Sequence, residues 1–317
     1  MSRQPAPTSQ ASFPVPCVPV WATPRARIED PVEGAFMAGS ALNALDNLVH
    51  AEPEWSGAWR HRLALKSAAA SMKLIGRSED EAALRDAWLL RQPGDEPGPA
   101  GNVLAAWRRL AGRSLPLDVE DLRTVAALLG VGWSEDLGDL IDIVREKVRS
   151  GAPAPAVAAR IAAAVMREDP KAEVLAWWMA DSALSMRMGW RHAVPILGVQ
   201  MHAPLLRLGP EGRRARPDSD AFSHAVFIAS ALGAAEACRQ AADMAAQAER
   251  LRTTVPKLRS KAAGDVVGRL VGDDAVSGML TTKTLSRWAS RRLFDRLVEL
   301  GAVRELSGRP TFRIYGL

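Results

Sequence analysis

Hydrophobic residues recur every three or four positions through most of this chain, which is the spacing of one face of an α-helix. The pattern continues into a long alanine-rich segment that runs from Ala221 to about Thr253. Strict alternation of apolar and polar residues, which is typical of strands, is not found before Val303. We therefore predict a mainly α fold, with a multi-helical domain over residues 31–253 and a small C-terminal module over residues 254–317.

Local signals indicate where individual elements begin and end. Ser78 followed by Glu81 has the pattern of a capping box, which predicts a helix that begins there. Leu208–Asp220 is polar and is predicted to be a loop. The most membrane-like stretch, Val174–Met188, is interrupted by charges and too short to span a bilayer, so no membrane association is expected. The same periodicity predicts helices at about 155–167, 170–188 and 191–201.

The first thirty residues differ from the rest because they contain six prolines. Proline fixes its own backbone and has no N–H to donate, so we predict that residues 1–30 form a disordered or partly extended Pro-rich arm. No continuous apolar run follows a basic start, and a secretory signal is therefore not predicted. The only cysteines, Cys17 and Cys238, are expected to be free thiols in a reducing cytoplasm.

The C-terminal module begins with signals for two helices. Pro256 is placed to open the first helix, whose apolar residues lie within 266–271. Gly272–Gly278 is predicted to be a turn region, and Ser286 is a typical N-cap for a second helix that ends before Gly301. The predicted apolar stripe of this second helix consists of Leu285, Ala289, Leu293, Leu297 and Leu300.

A hairpin is predicted after the second helix. Its strands are Val303–Leu306 and Thr311–Tyr315, joined by a turn that contains glycine and proline. Phe312 and Ile314 are expected to face the helix, while Arg313 points outward. Two helices followed by a two-stranded hairpin is the order of elements in a winged helix-turn-helix, and we predict this architecture for the module.

The net positive charge of the chain is confined to its last residues. Residues 281–317 contain eight basic and three acidic residues, which is a net charge of +5. The whole chain has 41 basic and 36 acidic residues, also a net charge of +5, so the preceding residues are neutral overall. A small module with a localised positive charge is typical of proteins that bind a phosphate backbone.

The winged-helix interpretation predicts which residues contact double-stranded DNA. The second helix of such a pair enters the major groove, with its N-terminal residues nearest the bases. Arginine binds guanine through two hydrogen bonds, and serine suits phosphate. At the hairpin, Arg309 and Arg313 would reach phosphates or a neighbouring minor groove. The residues predicted on the helix are Arg287, Trp288, Ser290 and Arg291.

A second interpretation is open for the same surface. Winged-helix modules also serve as dimerisation or docking domains, and the arginines would then form a solvated face. Trp288 could stack on nucleic acid, although a tryptophan on a helix more often packs against its own domain. The sequence therefore allows double-stranded DNA, a protein partner or a second copy of the chain as the binding partner.

No pattern in the sequence indicates a catalytic, cofactor or metal site. The five histidines lie in no metal-binding motif, and no cysteine pair has the spacing of a zinc site. Trp190, His192 and His202 form the nearest constellation, and Asp273 with Asp274 could hold a cation. Ordinary packing explains the first group better, and a turn before a helix explains the second. An enzyme whose site is assembled from scattered residues is a third hypothesis.

Four segments of the chain are distinctive: Gly76–Trp88, Gln92–Gly101, Thr281–Phe294 and Glu305–Leu317. Together they resemble a bacterial, mainly alphaproteobacterial, family known as a domain of unknown function, which often occurs on plasmids. The resemblance covers nearly the whole chain, implies a bacterial cytoplasmic protein and transfers no catalytic residue. The ending also resembles helix-turn-helix tails of other bacterial proteins. Our leading hypothesis is a non-enzymatic DNA-binding or regulatory protein; an interaction adaptor whose winged helix docks a partner is the alternative.

Overall fold

The computed structural model describes residues 14–91, 94–258 and 263–317. Within these ranges the chain is mainly helical, as predicted, with one small antiparallel sheet in the C-terminal module. The helices are α1 (Pro31–His50), α2 (Ser56–Leu74), α3 (Glu81–Leu89), α4 (Gly98–Gly112), α5 (Val119–Leu128), α6 (Glu135–Arg149), α7 (Ala154–Glu168), α8 (Glu173–Arg187), α9 (Phe222–Thr254), α10 (Ala263–Gly272) and α11 (Arg287–Glu299). The strands are β1 (Val276–Ser277), β2 (Arg304–Glu305) and β3 (Ile314–Gly316).

Buried tryptophans hold the helical domain together. Trp59, Trp107 and Trp178 are almost fully enclosed, and the indole N–H of each donates a hydrogen bond inside the core. Trp59 of α2 donates to the Ala237 carbonyl at 3.0 Å, which ties α2 to the long helix α9. Trp178 donates to the Ala106 carbonyl at 2.9 Å and joins α8 to α4. A buried tryptophan of this kind contributes a large apolar area without leaving its polar atom unsatisfied.

The helix predicted at 191–201 is wrong, because a buried carboxylate holds this segment in another conformation. Asp181 of α8 accepts hydrogen bonds from the backbone N–H groups of Ile196, Leu197 and Gly198 at 2.8–2.9 Å. Pro195 lies in the same segment and has no N–H to continue a helix. Burial raises the pKa of Asp181 to about 7, although the three N–H donors oppose the rise.

The start of α3 differs from the predicted capping box. The N-cap is Asp80 and not Ser78, because the Asp80 carboxylate accepts a hydrogen bond from the N–H of Ala83 at 2.9 Å. Aspartate and serine are equally good caps, and the backbone places the aspartate nearer to the free N–H groups. Leu84 of this helix is fully buried.

The N-terminal segment packs against the helical domain over the part that the structure describes. Val18, Ala22 and Ile28 are buried in the core. Trp21 stacks on Phe36 of α1, with 5.6 Å between ring centroids. Residues 14–30 are therefore packed on the domain and not disordered, and outside the short 3₁₀ turn Val20–Ala22 they form neither helix nor strand. Residues 1–13 lie outside the described residues.

The C-terminal module contains one more strand than expected. The three strands are antiparallel with the order β1-β3-β2, in which Val276 pairs with Tyr315 and Arg304 pairs with Gly316. The region around β1 was predicted to be a turn, because two residues are too few to show alternation. The observed order is α10, β1, α11, β2 and β3, and the hairpin comprises β2, β3 and the residues between them.

The buried face of α11 is rotated from the predicted apolar stripe. Leu293, Phe294 and Leu297 are buried, whereas Ala289 is exposed. Phe294 stacks almost parallel on Tyr315 of β3, with 4.5 Å between centroids, and this pair sets the rotation of the helix. The predicted ends of the helix are confirmed. Ser286 accepts a hydrogen bond from Ala289 N–H, and Gly301 has the positive φ of 65° that favours glycine after a helix. 

Two aspartates at the end of α10 join the module to the helical domain. The buried Asp274 carboxylate accepts hydrogen bonds from Arg62 Nε and Arg85 Nε, both at 2.7 Å. Asp273 accepts two from Arg108, at 2.7 and 2.9 Å. Burial opposes ionisation, yet the positive charges of Arg62 and Arg85 hold the pKa of Asp274 below its ordinary value. These aspartates therefore bind arginines and not the cation considered from the sequence.

None of the helices among residues 14–91, 94–258 and 263–317 is long and apolar enough to cross a membrane.

Candidate functional site

A groove of about 450 Å³ lies on the surface of the module, between the N-terminal half of α11 and the hairpin. We call it the α11–hairpin groove. It is a feature of tertiary structure, because its walls come from the turn after β1, from α11 and from the residues before β3. Its lining residues are Gly278, Met279, Arg287, Trp288, Arg291, Pro310, Thr311, Phe312, Arg313 and Tyr315.

Three large apolar side chains of the groove are open to solvent. Trp288 is 81% exposed, Phe312 is 54% exposed and Met279 is 41% exposed. Exposed apolar residues are ordinary when they are scattered, but several in one concave site indicate a binding surface. Trp288 therefore does not pack against its own domain, and its indole is available to a ligand.

The backbone of Phe312 holds its side chain in this exposed position. Its φ is 52°, in the left-handed region that is rare for residues other than glycine. The guanidinium of Arg309 donates two hydrogen bonds to the Phe312 carbonyl, at 3.1 and 3.2 Å. Such a conformation persists where surrounding contacts fix it, and it is frequent at functional sites. Ile314 is buried as predicted, whereas Phe312 is exposed and lines the groove across from α11.

Arg287 and Arg291 supply positive charge to the groove. Both are exposed, and neither forms an ion pair with another residue that the structure describes. The first turn of α11 contains no acidic residue, so the positive end of the helix dipole adds to their charge. An anionic ligand therefore meets two free guanidinium groups beside the exposed indole.

Arg309 and Arg313 are placed differently from the two arginines of α11. Arg309 forms two hydrogen bonds with the Asp86 carboxylate of α3, at 2.5 and 2.8 Å. Arg313 lines the groove but lies 3.5 Å from Asp295 and 3.7 Å from Glu305. The charges of both are balanced within the protein, so they differ from the free cations expected at a hairpin tip.

Ser290, the remaining residue predicted to contact DNA, lies on the buried face of α11. Its side chain is fully enclosed, and its hydroxyl has no hydrogen-bond partner among the described residues. The structure thus brings Arg287, Trp288 and Arg291 together and separates Ser290 from them. Sequence reasoning missed Met279 and Phe312 as lining residues. For Phe312, Pro310 is the sequence signal that indicates a position in the turn. Proline cannot continue a strand ladder and shifts the residues beside it into the turn.

The histidines do not converge on a chemical site. His202 lies 3.0 Å from the Ala70 carbonyl, and His192 lies 3.4 Å from the Ser114 hydroxyl. Trp190 donates a hydrogen bond to Asp46 at 2.7 Å, so each member of the predicted constellation has a different partner. Burial and the positive charge of Arg108 lower the pKa of His61 to about 4. Within the described part of the chain, no group of three or more histidine, cysteine or acidic residues is arranged to hold a metal ion.

A second charged concavity, a polar cleft of about 300 Å³, lies between α2, α9 and the module. Its main charges satisfy one another: Lys66 and Arg239 both pair with Glu236, at 2.5 and 2.8 Å. Arg62, also in its wall, is bound to Asp274. Asp243 and Arg304 of the cleft form no ion pair with another described residue, so it offers one free charge of each sign, whereas the α11–hairpin groove offers two free positive charges.

The chain matches a known protein family over almost its whole length. The family described as "Protein of unknown function (DUF1403)" matches residues 6–317. Because the match spans almost the whole sequence, the chain belongs to this family, and the resemblance to a domain-of-unknown-function family is confirmed. A comparison with curated proteins found no match. The function therefore has to be argued from the groove itself.

Proposed function

For this member of the DUF1403 family, we propose binding of double-stranded DNA through the N-terminal half of α11. The observation that carries the proposal is the exposure of Arg287, Trp288 and Arg291 on one side of this helix, with both arginines unpaired among the described residues. The order α10, β1, α11, β2, β3 and the sheet order β1-β3-β2 support a winged-helix interpretation of the module. In such modules the corresponding helix enters the major groove.

Electrostatics favour a phosphate backbone as the ligand. Residues 281–317 carry a net charge of +5. The rest of the chain is neutral overall and does not offset this charge. Arg287 and Arg291 stand one turn apart on α11, so both reach the same side of a duplex. Arginine also reads guanine through two hydrogen bonds, which would add sequence preference to phosphate contact.

The segment before α11 is a tight turn. Thr282 N–H donates to the Leu285 carbonyl at 3.0 Å, and the hydroxyls of Thr282 and Thr284 donate to Asp265 of α10 at 3.2 and 2.9 Å. In a winged helix-turn-helix, a short helix commonly precedes the helix that enters the groove. In this protein a turn takes the place of that short helix. Duplex contact in this protein therefore depends on α11 and on the exposed Lys283 just before it. This role agrees with the bacterial cytoplasmic location that we infer.

Fluorescence anisotropy on a random-sequence duplex, titrated with salt, tests the proposal. We expect log affinity to fall linearly with log salt, because bound phosphates release counterions. The double variant Arg287→Ala/Arg291→Ala should bind more weakly, with a salt slope smaller by about two. A matched control is Arg160→Ala/Arg167→Ala, which removes two exposed arginines from α7. Equal affinity of the two double variants, or no binding at low salt, would remove the proposal.

Protein docking is the second candidate, and the apolar character of the groove favours it. Met279, Trp288 and Phe312 would bury their exposed surface against a partner chain. A second copy of the chain is the simplest partner to test, by sedimentation velocity over a range of concentrations. Self-association that Trp288→Ala abolishes, together with no DNA binding, would replace the leading proposal with this one.

A further inference from the structure

The geometry points to an unpaired nucleobase as the occupant of the α11–hairpin groove. The protein would then bind DNA that contains an extruded or bulged base in preference to a fully paired duplex. This inference rests on the proposed DNA-binding function and deepens it by naming the form of DNA that the groove selects.

The aromatic side chains carry the first step. Trp288 on α11 and Phe312 on the hairpin line the same groove from different elements, and both are mostly exposed. In a paired duplex the faces of the bases are covered by their neighbours in the stack. An exposed indole or phenyl ring therefore stacks at least cost on a base that has already left the duplex, because insertion between paired bases must first unstack them. Contact with phosphate alone would leave the exposed phenyl ring of Phe312 without a binding partner.

The exposed position of Phe312 is fixed by contacts within the fold. The core positions of β3 are filled by Ile314 and by Tyr315, which stacks on Phe294. Phe312 keeps a φ of 52° because Arg309 holds its carbonyl, and Arg309 is itself held by Asp86. Arg309 and Asp86 thus keep one apolar ring in water, which indicates a ligand that covers it.

The size and the charge of the groove favour a nucleotide over a purely apolar ligand. The groove volume of about 450 Å³ is in the lower part of the range typical of small-molecule sites, so it suits one base. Arg287 and Arg291 lie in the same wall as Trp288 and can bind the phosphates on either side of that base. A purely apolar peptide would leave two unpaired guanidinium groups at its interface, which is unfavourable.

The test compares two short DNA duplexes of the same sequence at one salt concentration. One is fully paired, and the other has a single bulged 2-aminopurine, whose fluorescence falls when it stacks on an aromatic ring. We expect wild-type protein to bind the bulged duplex about tenfold more tightly than the paired one, with quenching of the probe. Trp288→Ala and Phe312→Gly should both remove this preference and the quenching. In Phe312→Gly, affinity and salt slope on the paired duplex should stay close to wild type.

The choice of variants keeps folding separate from recognition. Phe312→Gly suits the positive φ at this position, and Trp288 is exposed, so both variants should fold. Trp21→Ala is the matched control, because it removes another exposed tryptophan far along the sequence, in the N-terminal segment. It should behave as wild type on both DNAs.

The outcomes separate this inference from the function on which it rests. Equal affinity of wild type for both duplexes overturns the base-binding inference, and dependence on Arg287 and Arg291 still supports duplex binding. Equal loss of affinity on both duplexes in Trp288→Ala makes the indole an ordinary duplex contact and also overturns the inference. Binding to neither duplex removes both proposals.

Discussion

Arg309 of the hairpin and Asp86 of α3 form a two-pronged ion pair, with Nη1–Oδ2 at 2.5 Å and Nη2–Oδ1 at 2.8 Å. The two residues are 223 positions apart in the chain. The pair fixes the hairpin to the helical domain and at the same time neutralises a cation beside the surface that we propose to bind DNA. This one contact therefore contributes to the stability of the hairpin and also reduces the number of free positive charges on the module.

Replacement of Asp86 by asparagine should strengthen duplex binding. The neutral amide holds Arg309 less firmly, and the released guanidinium becomes available to a phosphate. We expect the salt slope of binding to increase by about one, measured by anisotropy on random-sequence duplex. Asp139→Asn on α6 is a control, since it removes one negative charge from an exposed position in the helical domain. If both variants show the same affinity, Asp86 does not restrain Arg309.

Replacement of Asp274 by asparagine should destabilise the protein strongly. Arg62 and Arg85 are only 18% and 13% exposed at their side chains, and both would lose their charged partner. Breaking a buried pair in this way costs about 3–5 kcal/mol. Urea unfolding measures the loss. Asp295→Asn in the same module is the comparison, because the pair with Arg313 is more exposed and should contribute less than about 1 kcal/mol.

Asp181 should make the protein less stable as pH rises from about 4 to about 7. Its pKa is raised from 3.8 to about 7 in the folded protein, so the folded state holds a proton that the unfolded chain has released. Each pH unit in this window then removes up to about 1.4 kcal/mol of stability. Chemical unfolding at several pH values measures the slope. Asp181→Asn cannot titrate, and a slope unchanged in this variant would contradict the assignment.

His61 should act in the opposite direction over nearly the same range. Its pKa is lowered from 6.5 to about 4 by burial and by Arg108, so the unfolded chain binds a proton that the folded protein excludes. Stability is therefore lost as pH falls from about 6.5 to about 4. The two groups partly cancel in the wild-type protein. His61→Gln should reveal the falling slope of Asp181, and Asp181→Asn should reveal the rising slope of His61. A rising slope in His61→Gln would refute the assignment for Asp181, and a falling slope in Asp181→Asn would refute that for His61.

Gly233 of α9 should not tolerate a methyl group. A Cβ at this position would lie 2.4 Å from the Ile196 carbonyl oxygen, in the segment that Asp181 organises. We expect Gly233→Ala to cost about 1–3 kcal/mol despite the better helix propensity of alanine. Gly39→Ala on α1 is the matched control, because nothing lies within 4 Å of its Cβ. Thermal unfolding should show this control to be as stable as wild type or more stable.

Local signals predicted those features that depend on neighbouring residues. Ser286 and Gly301 correctly bound α11, and the long alanine-rich helix appears as Phe222–Thr254. Three of the six residues predicted to contact DNA are exposed and line the α11–hairpin groove: Arg287, Trp288 and Arg291. Helix periodicity alone places these three residues near one another. Capping, periodicity and propensity all act within a few residues, so the sequence displays them directly.

The sequence by itself determined that this protein is mainly helical, where its long helix runs, and that its positive charge lies at one end. Only the tertiary structure decided that Phe312 faces solvent, that Arg309 binds Asp86 and that Asp181 replaces a helix at 191–201 with an anchored loop. Each of these outcomes depends on groups brought together from distant parts of the chain. Their energies arise from burial and from charge pairing across elements, and neither is encoded in the spacing of adjacent residues.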